Sequence, residues 1–278
     1  MDFHENESIS LYLSDLELIE EIQSPFHHIL LYKHNKLGKV LIIDDEIMHI
    51  EKYQAFYHEP LVHLPFAIKQ DIKNILILGG GSLFAAQEIL KYDSIYKLIL
   101  CDHDKEVISL MDRHYQHVDS VLNDNRFTYI DADALNFLQK NTIKFDLIIN
   151  DCFDLSKTYI GNQSLYGFLD NNLAKGGLCS DMIYNDIFDK NTMLISLELL
   201  KPKSTKFYSL MYVPEYPGVL HLHTIWSKDK IKFNLSHKNP EQLKIFENKK
   251  FEIFNPHYLN YYFHLPKFVK DIIKWIYL

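Results

Sequence analysis

Between residues 74 and 151 the chain alternates four short apolar runs with stretches of helical spacing. The runs are Ile75-Leu76-Ile77-Leu78, Leu98-Ile99-Leu100-Cys101, Phe127-Thr128-Tyr129-Ile130 and Leu147-Ile148-Ile149-Asn150. Helices are expected from about Leu83 to Lys91, over Glu106 to Tyr115 and over Ala134 to Gln139. Apolar strands that alternate with helices bury both faces of a parallel sheet, so the pattern predicts an α/β, doubly wound, Rossmann-like domain.

Such sheets bind ligands outside the carboxyl ends of their strands, where the strand order reverses. Each run above ends in small or acidic residues. Gly79-Gly80-Gly81 follows the first, Asp102 the second, Asp131-Ala132-Asp133 the third and Asp151 with Asp154 the fourth. The glycines let backbone approach a ligand, and an acid about 20 residues later can accept both ribose hydroxyls. Taken alone, Asp131 and Asp133 read more readily as helix caps. Phe84 stands at the third glycine position of a G-x-G-x-x-G turn, which favours S-adenosylmethionine over a pyrophosphate-bearing dinucleotide.

Residues 1–68 read as an N-terminal β cap with a linking helix, and residues 69–278 as the catalytic domain. In the cap, Phe26 to Tyr32 and Lys39 to Ile43 are β-rich, and Ile47 to Ile50 continues the meander. A helix from Gln54 to about Leu64 is expected to end before Pro65. From Ser204 on the chain is strand-rich, then helical from Pro266 to Leu278.

A net charge of -8 argues against a long nucleic acid as partner. The three cysteines Cys101, Cys152 and Cys179 lack metal-ligand spacing, and the 15 histidines form no metal constellation, so no metal is expected. The start Met1-Asp2-Phe3-His4-Glu5 lacks the features of a signal peptide, and the apolar runs are strand-length. A cytoplasmic protein without membrane contact is the expectation.

With these sites placed, the chain resembles the spermidine synthase (polyamine aminopropyltransferase) family over nearly its full length. The matching stretches are Leu37 to Asp44, Phe56-Tyr57-His58-Glu59-Pro60 to Pro65, Ile75 to Gly81, Cys101 to Asp104, Asp131 to Ala134 and Phe145 to Asp154. Val213 to Gly218, Phe254 to His257 and Leu265-Pro266 complete them. The resemblance implies a small β cap, ribose binding by Asp102, adenine recognition by Asp133 and a catalytic carboxylate at Asp151. It also implies that Tyr57, His58 and Asp154 line the donor and acceptor pocket, and that the protein is a homodimer.

Five positions depart from that family. Ser82 replaces an acid after the glycines, His27 and Met48 replace glutamines, Ile183 falls on or near an acidic position, and Phe254 replaces a tyrosine. A buried ammonium needs an opposite charge, so the thinned acids imply an acceptor other than a polyamine. A neutral Ser82 would also admit the α-carboxylate of intact S-adenosylmethionine. The expectation is a transferase moving a 3-amino-3-carboxypropyl or aminopropyl group from S-adenosylmethionine or its decarboxylated form. The acceptor would be a small molecule or a peptide-nucleotide, as in microcin C-type antibiotic tailoring. A polyamine synthase, a methyltransferase and a non-catalytic nucleoside-binding partner subunit are the alternatives.

Overall fold

The apolar runs form the centre of a seven-stranded sheet. The computed structural model describes residues 1–4, 10–152, 159–186, 190–233 and 243–277. After the small pair β1 (Asp2–His4) and β2 (Ser10–Tyr12), four antiparallel strands make the cap sheet: β3 (Glu17–Gln23), β4 (His28–His34), β5 (Gly38–Ile43) and β6 (Glu46–Ile50). Strand β3, Glu-Leu-Ile-Glu-Glu-Ile-Gln, lies in the region read as a β cap but was not delimited; as an edge strand it is largely exposed and its apolar alternation is weak.

Helix α1 (Gln54–Ile68) leads from the cap to β7 (Asn74–Gly79). It runs through Pro65 instead of ending before it. A proline leaves the carbonyl four residues earlier without its helical donor. The hydroxyl of Ser180, far along the chain, donates to the Leu61 carbonyl at 2.8 Å and fills that place.

The remaining units are α2 (Phe84–Leu90), β8 (Lys97–Asp102), α3 (Lys105–His114), α4 (Gln116–Leu122), β9 (Phe127–Asp131), α5 (Ala134–Lys140) and β10 (Phe145–Asp151). They are followed by α6 (Tyr159–Asn172), β11 (Leu173–Asp186), α7 (Lys190–Leu200), β12 (Thr205–Met211), β13 (Val219–Ser227) and a C-terminal helix, Lys267–Tyr277. The sheet order is β12-β13-β11-β10-β7-β8-β9, parallel from β11 to β9 and antiparallel at β13 and β12.

Each face of this sheet has its own apolar layer, as a doubly wound fold requires. One layer joins α1 to α4 with Ile75 and Ile77, and includes Ile29, Leu31 and Leu41 of the cap. The other joins α5, α6, α7 and the C-terminal helix with Leu76 and Leu78. Among the described residues, no helix is long and apolar enough to cross a membrane.

Candidate functional site

The chain travels from β7 through β8 to β9 on one side, then returns to place β10 on the other side of β7. Their carboxyl ends open a pocket at this reversal, where Gly79 pairs with Asp151 in the parallel register. The pocket holds about 350 Å³ and is bounded by Gly79 to Ser82, Asp102, Asp133 and Asp151. Leu41, Ile43, Met48 and His49 of the cap, Tyr57 and His58 of α1, and Val213, Glu215 and Tyr216 close it.

Two glycines are required by geometry. Gly79 and Gly80 have φ of +75° and +76°, a region that L side chains rarely adopt. A Cβ on Gly79 would lie 2.4 Å from the Cys152 Cβ, and one on Gly80 would lie 3.2 Å from Asp151 Oδ2. The turn therefore presses its backbone against the acid that ends β10.

Asp151 is surrounded by protein except where it opens to the pocket. Burial pushes its pKa up to about 7, against a hydrogen bond from Tyr57, with the charge of Asp102 adding to the rise. The Tyr57 hydroxyl donates to Asp151 Oδ1 at 2.8 Å. Asp102 Oδ2 accepts from the Gly81 N–H at 3.1 Å and Oδ1 from the Asp104 N–H at 2.9 Å; burial raises this carboxyl too. Asp133 caps α5 by accepting from the Asn136 N–H at 2.8 Å while lining the pocket, so the cap and pocket readings coexist. Asp131 is exposed and outside the pocket lining.

The cap is tied to the strand ends. Nδ1 of His27 lies 2.8 Å from Asp104 Oδ2, and the Ser24 hydroxyl donates to the same oxygen at 2.6 Å. His58 donates from Nδ1 to the Gln54 carbonyl at 2.7 Å. Burial pushes its pKa down to about 4 and that of His49 to about 3, so both rings are neutral at pH 7. Ser82 lines the pocket, and its carbonyl accepts from His117 Nε2 at 3.1 Å.

Two expected site residues lie elsewhere. Phe254 is buried among Phe246, Phe251, His63 and Tyr262 and does not line the pocket. Ile183 is buried in the layer facing α6 and α7, because alternation along β11 sends it to the face opposite Met182. Asp154 lies outside the described residues. The sequence reading passed over His49 and gave Asp104, Cys152 and Glu215 no role although all three lie in its matching stretches; all four line the pocket.

Residues 54–236 match the family model described as the spermine/spermidine synthase domain. The chain is 27% identical to a polyamine aminopropyltransferase of Buchnera aphidicola subsp. Acyrthosiphon pisum, covering 95% of each chain. It is also 27% identical to a polyamine aminopropyltransferase of Thermoanaerobacter sp., covering 96% of this chain and 95% of that one. Among solved structures, spermidine synthase from Thermotoga maritima superposes with a TM-score of 0.81 at 27% identity, over 92% of this chain and 87% of that one. A spermidine synthase in complex with the transition-state analogue AdoDATO gives 0.84 at 26% identity, over 96% and 91%.

These relatives overturn the expectation of a non-polyamine acceptor, and the antibiotic-tailoring role falls with it. The physical reason is visible in the pocket. Ile183 and Phe254 were counted as lost polar groups but do not line it, and Glu215 contributes an acid that the count omitted. The chain belongs to the spermine/spermidine synthase family.

Proposed function

We propose that this protein transfers an aminopropyl group from decarboxylated S-adenosylmethionine to an amine of a polyamine acceptor. The observation that carries this reading is Asp151, a carboxyl raised to about 7 at the reversal of the sheet, with one oxygen held by Tyr57. A general base works best when its pKa lies near the working pH. Aminopropyl transfer needs a base there, because an amine attacks carbon only after losing a proton.

In the step proposed, the neutral amine nitrogen forms a bond to the propyl carbon attached to the sulfonium. That carbon–sulfur bond breaks, its electron pair stays on sulfur, and 5′-methylthioadenosine leaves as a neutral thioether. The proton that the acceptor ammonium must lose before attack passes to Asp151, and the alkylated amine leaves as a secondary ammonium. Asp102 would hold the ribose and Asp133 the adenine, with Gly79 to Ser82 beside the donor chain. Much of the acceleration would come from fixing nitrogen, carbon and sulfur in line. The relatives named for this activity and the likeness to a synthase bound to AdoDATO support the reading.

The test is to incubate the purified protein with putrescine and either decarboxylated or intact S-adenosylmethionine, then measure products by mass spectrometry. Methylthioadenosine and aminopropylated amine should form with the decarboxylated donor. Absence of both products across di- and triamines would overturn the proposal.

A further inference from the structure

Glu215 lies in the turn between β12 and β13, and this turn is fastened to the cap by the Tyr216 hydroxyl, which donates to the Ile47 carbonyl. The residue is 4% exposed and lines the pocket. Its Oε2 is a buried oxygen without a hydrogen-bond partner. A buried acceptor left unpaired is costly, and a buried carboxylate more so, unless a cation or donor meets it.

Among the described residues, the other acids lining the pocket already hold partners. Asp102 holds two backbone N–H groups, Asp104 holds Ser24 and His27, Asp133 caps α5, and Asp151 holds Tyr57. Among the described residues, no lysine or arginine lines the pocket, so these offer Glu215 no counter-charge there. The backbone N–H groups of Glu215 and Ile50 favour its ionised form, but burial outweighs them and pushes its pKa up to about 7, and Oε2 still lacks a partner. Glu215 and Asp151 line the same pocket, so a single acceptor can present one nitrogen to each.

We propose that Glu215 is the binding residue for the distal ammonium of the acceptor amine, making this enzyme select acceptors with a second positive charge. The inference rests on the proposed aminopropyl transfer. A diamine loses a proton only at its reacting nitrogen and keeps the other as an ammonium. Glu215 Oε2 would take a charge-assisted hydrogen bond from it. This supplies acidity that Ser82 lacks, from another element of the fold.

The experiment compares putrescine with n-butylamine, which matches it in length but lacks the second ammonium. Kinetics are measured with decarboxylated S-adenosylmethionine on the wild type, Glu215→Gln and Glu215→Asp, with melting temperatures as a fold check. In the wild type, kcat/KM for putrescine should exceed that for butylamine at least tenfold. Glu215→Gln should raise the putrescine KM tenfold or more, change kcat less, and shrink the preference over butylamine to a few-fold. Glu215→Asp, which keeps the charge, should fall between. Equal losses on both amines, or an unchanged putrescine KM, would overturn the assignment while leaving the transfer reaction intact. A weakened affinity for the decarboxylated donor with no change in amine preference would move Glu215 to the donor and also overturn it. A wild type that consumes neither amine would overturn the transfer reading itself, and this proposal with it.

Discussion

The Tyr57 hydroxyl and Asp151 Oδ1 meet at 2.8 Å although 94 positions separate them in the chain. One belongs to the helix leaving the cap and the other ends the strand beside the glycine turn. Their contact ties α1 to the end of β10 at the pocket, and it lowers the pKa of Asp151 against the larger rise that burial causes.

Tyr57→Phe removes the main influence that holds Asp151 ionised against burial. A hydrogen bond to a charged group contributes about 1.5 to 3 kcal/mol, so the Asp151 pKa should rise above 7 by about one unit or more. The acidic limb of the kcat profile should move to higher pH by the same amount. A limb that stays in place would show that Asp151 is not the group titrating in turnover.

Asp151→Asn separates catalysis from stability. Turnover should drop about a hundredfold or more if Asp151 takes the amine proton. The folded pKa of Asp151 is raised, so the folded state binds more protons than the unfolded state between about pH 4 and pH 7. Wild-type stability therefore falls as pH rises through that window, because the buried carboxyl must ionise. The asparagine variant escapes this loss. Its melting temperature relative to wild type should climb from pH 4 to pH 8, by on the order of 1 to 4 kcal/mol in stability. A difference that is flat with pH would contradict the raised pKa.

The C-terminal segment depends on another carboxylate of α1. Glu59 accepts the backbone N–H groups of Glu252, Ile253 and Phe254 at 2.7, 2.8 and 2.6 Å. Glu59→Gln puts an amide N–H₂ where an acceptor is needed, leaving at least one buried donor unmet. A loss of about 2 to 4 kcal/mol is expected. Amide hydrogen exchange should quicken at those three residues before it does in the central sheet. Uniform exchange across both regions would mean that the segment opens only with global unfolding.

The central sheet was legible because β7 to β10 carry continuous apolar runs, whose only stable placement is between two helical layers. Its strand-end residues followed from the topology. The length of α1 was not legible, since the group that satisfies Leu61 beside Pro65 is Ser180, 119 positions away. Ile183 was misplaced for a related reason. Its face depends on the register of β11 against β10 and β13, and a one-residue shift exchanges pocket and core. Glu215 was overlooked because a turn residue has no periodicity, and its burial comes from the cap folding over it.

Ser82 offers the sharpest test of which end of the donor lies beside the glycine turn. It follows Gly81 and lines the pocket, which no lysine or arginine lines among the described residues. Decarboxylated S-adenosylmethionine ends in a bare ammonium, and intact S-adenosylmethionine adds an α-carboxylate next to it. Ser82→Asp should thus attract the first tail and repel the carboxylate of the second. Unit charges 4 Å apart interact by about 4 kcal/mol at an effective dielectric of 20, and solvent reaching the tail will reduce this. The decarboxylated donor should bind about tenfold tighter to the variant, and intact S-adenosylmethionine about tenfold weaker. Calorimetric titration of both donors into both proteins gives four affinities that form a cycle, which cancels any general damage from the substitution. A coupling near zero would place the donor tail away from Ser82.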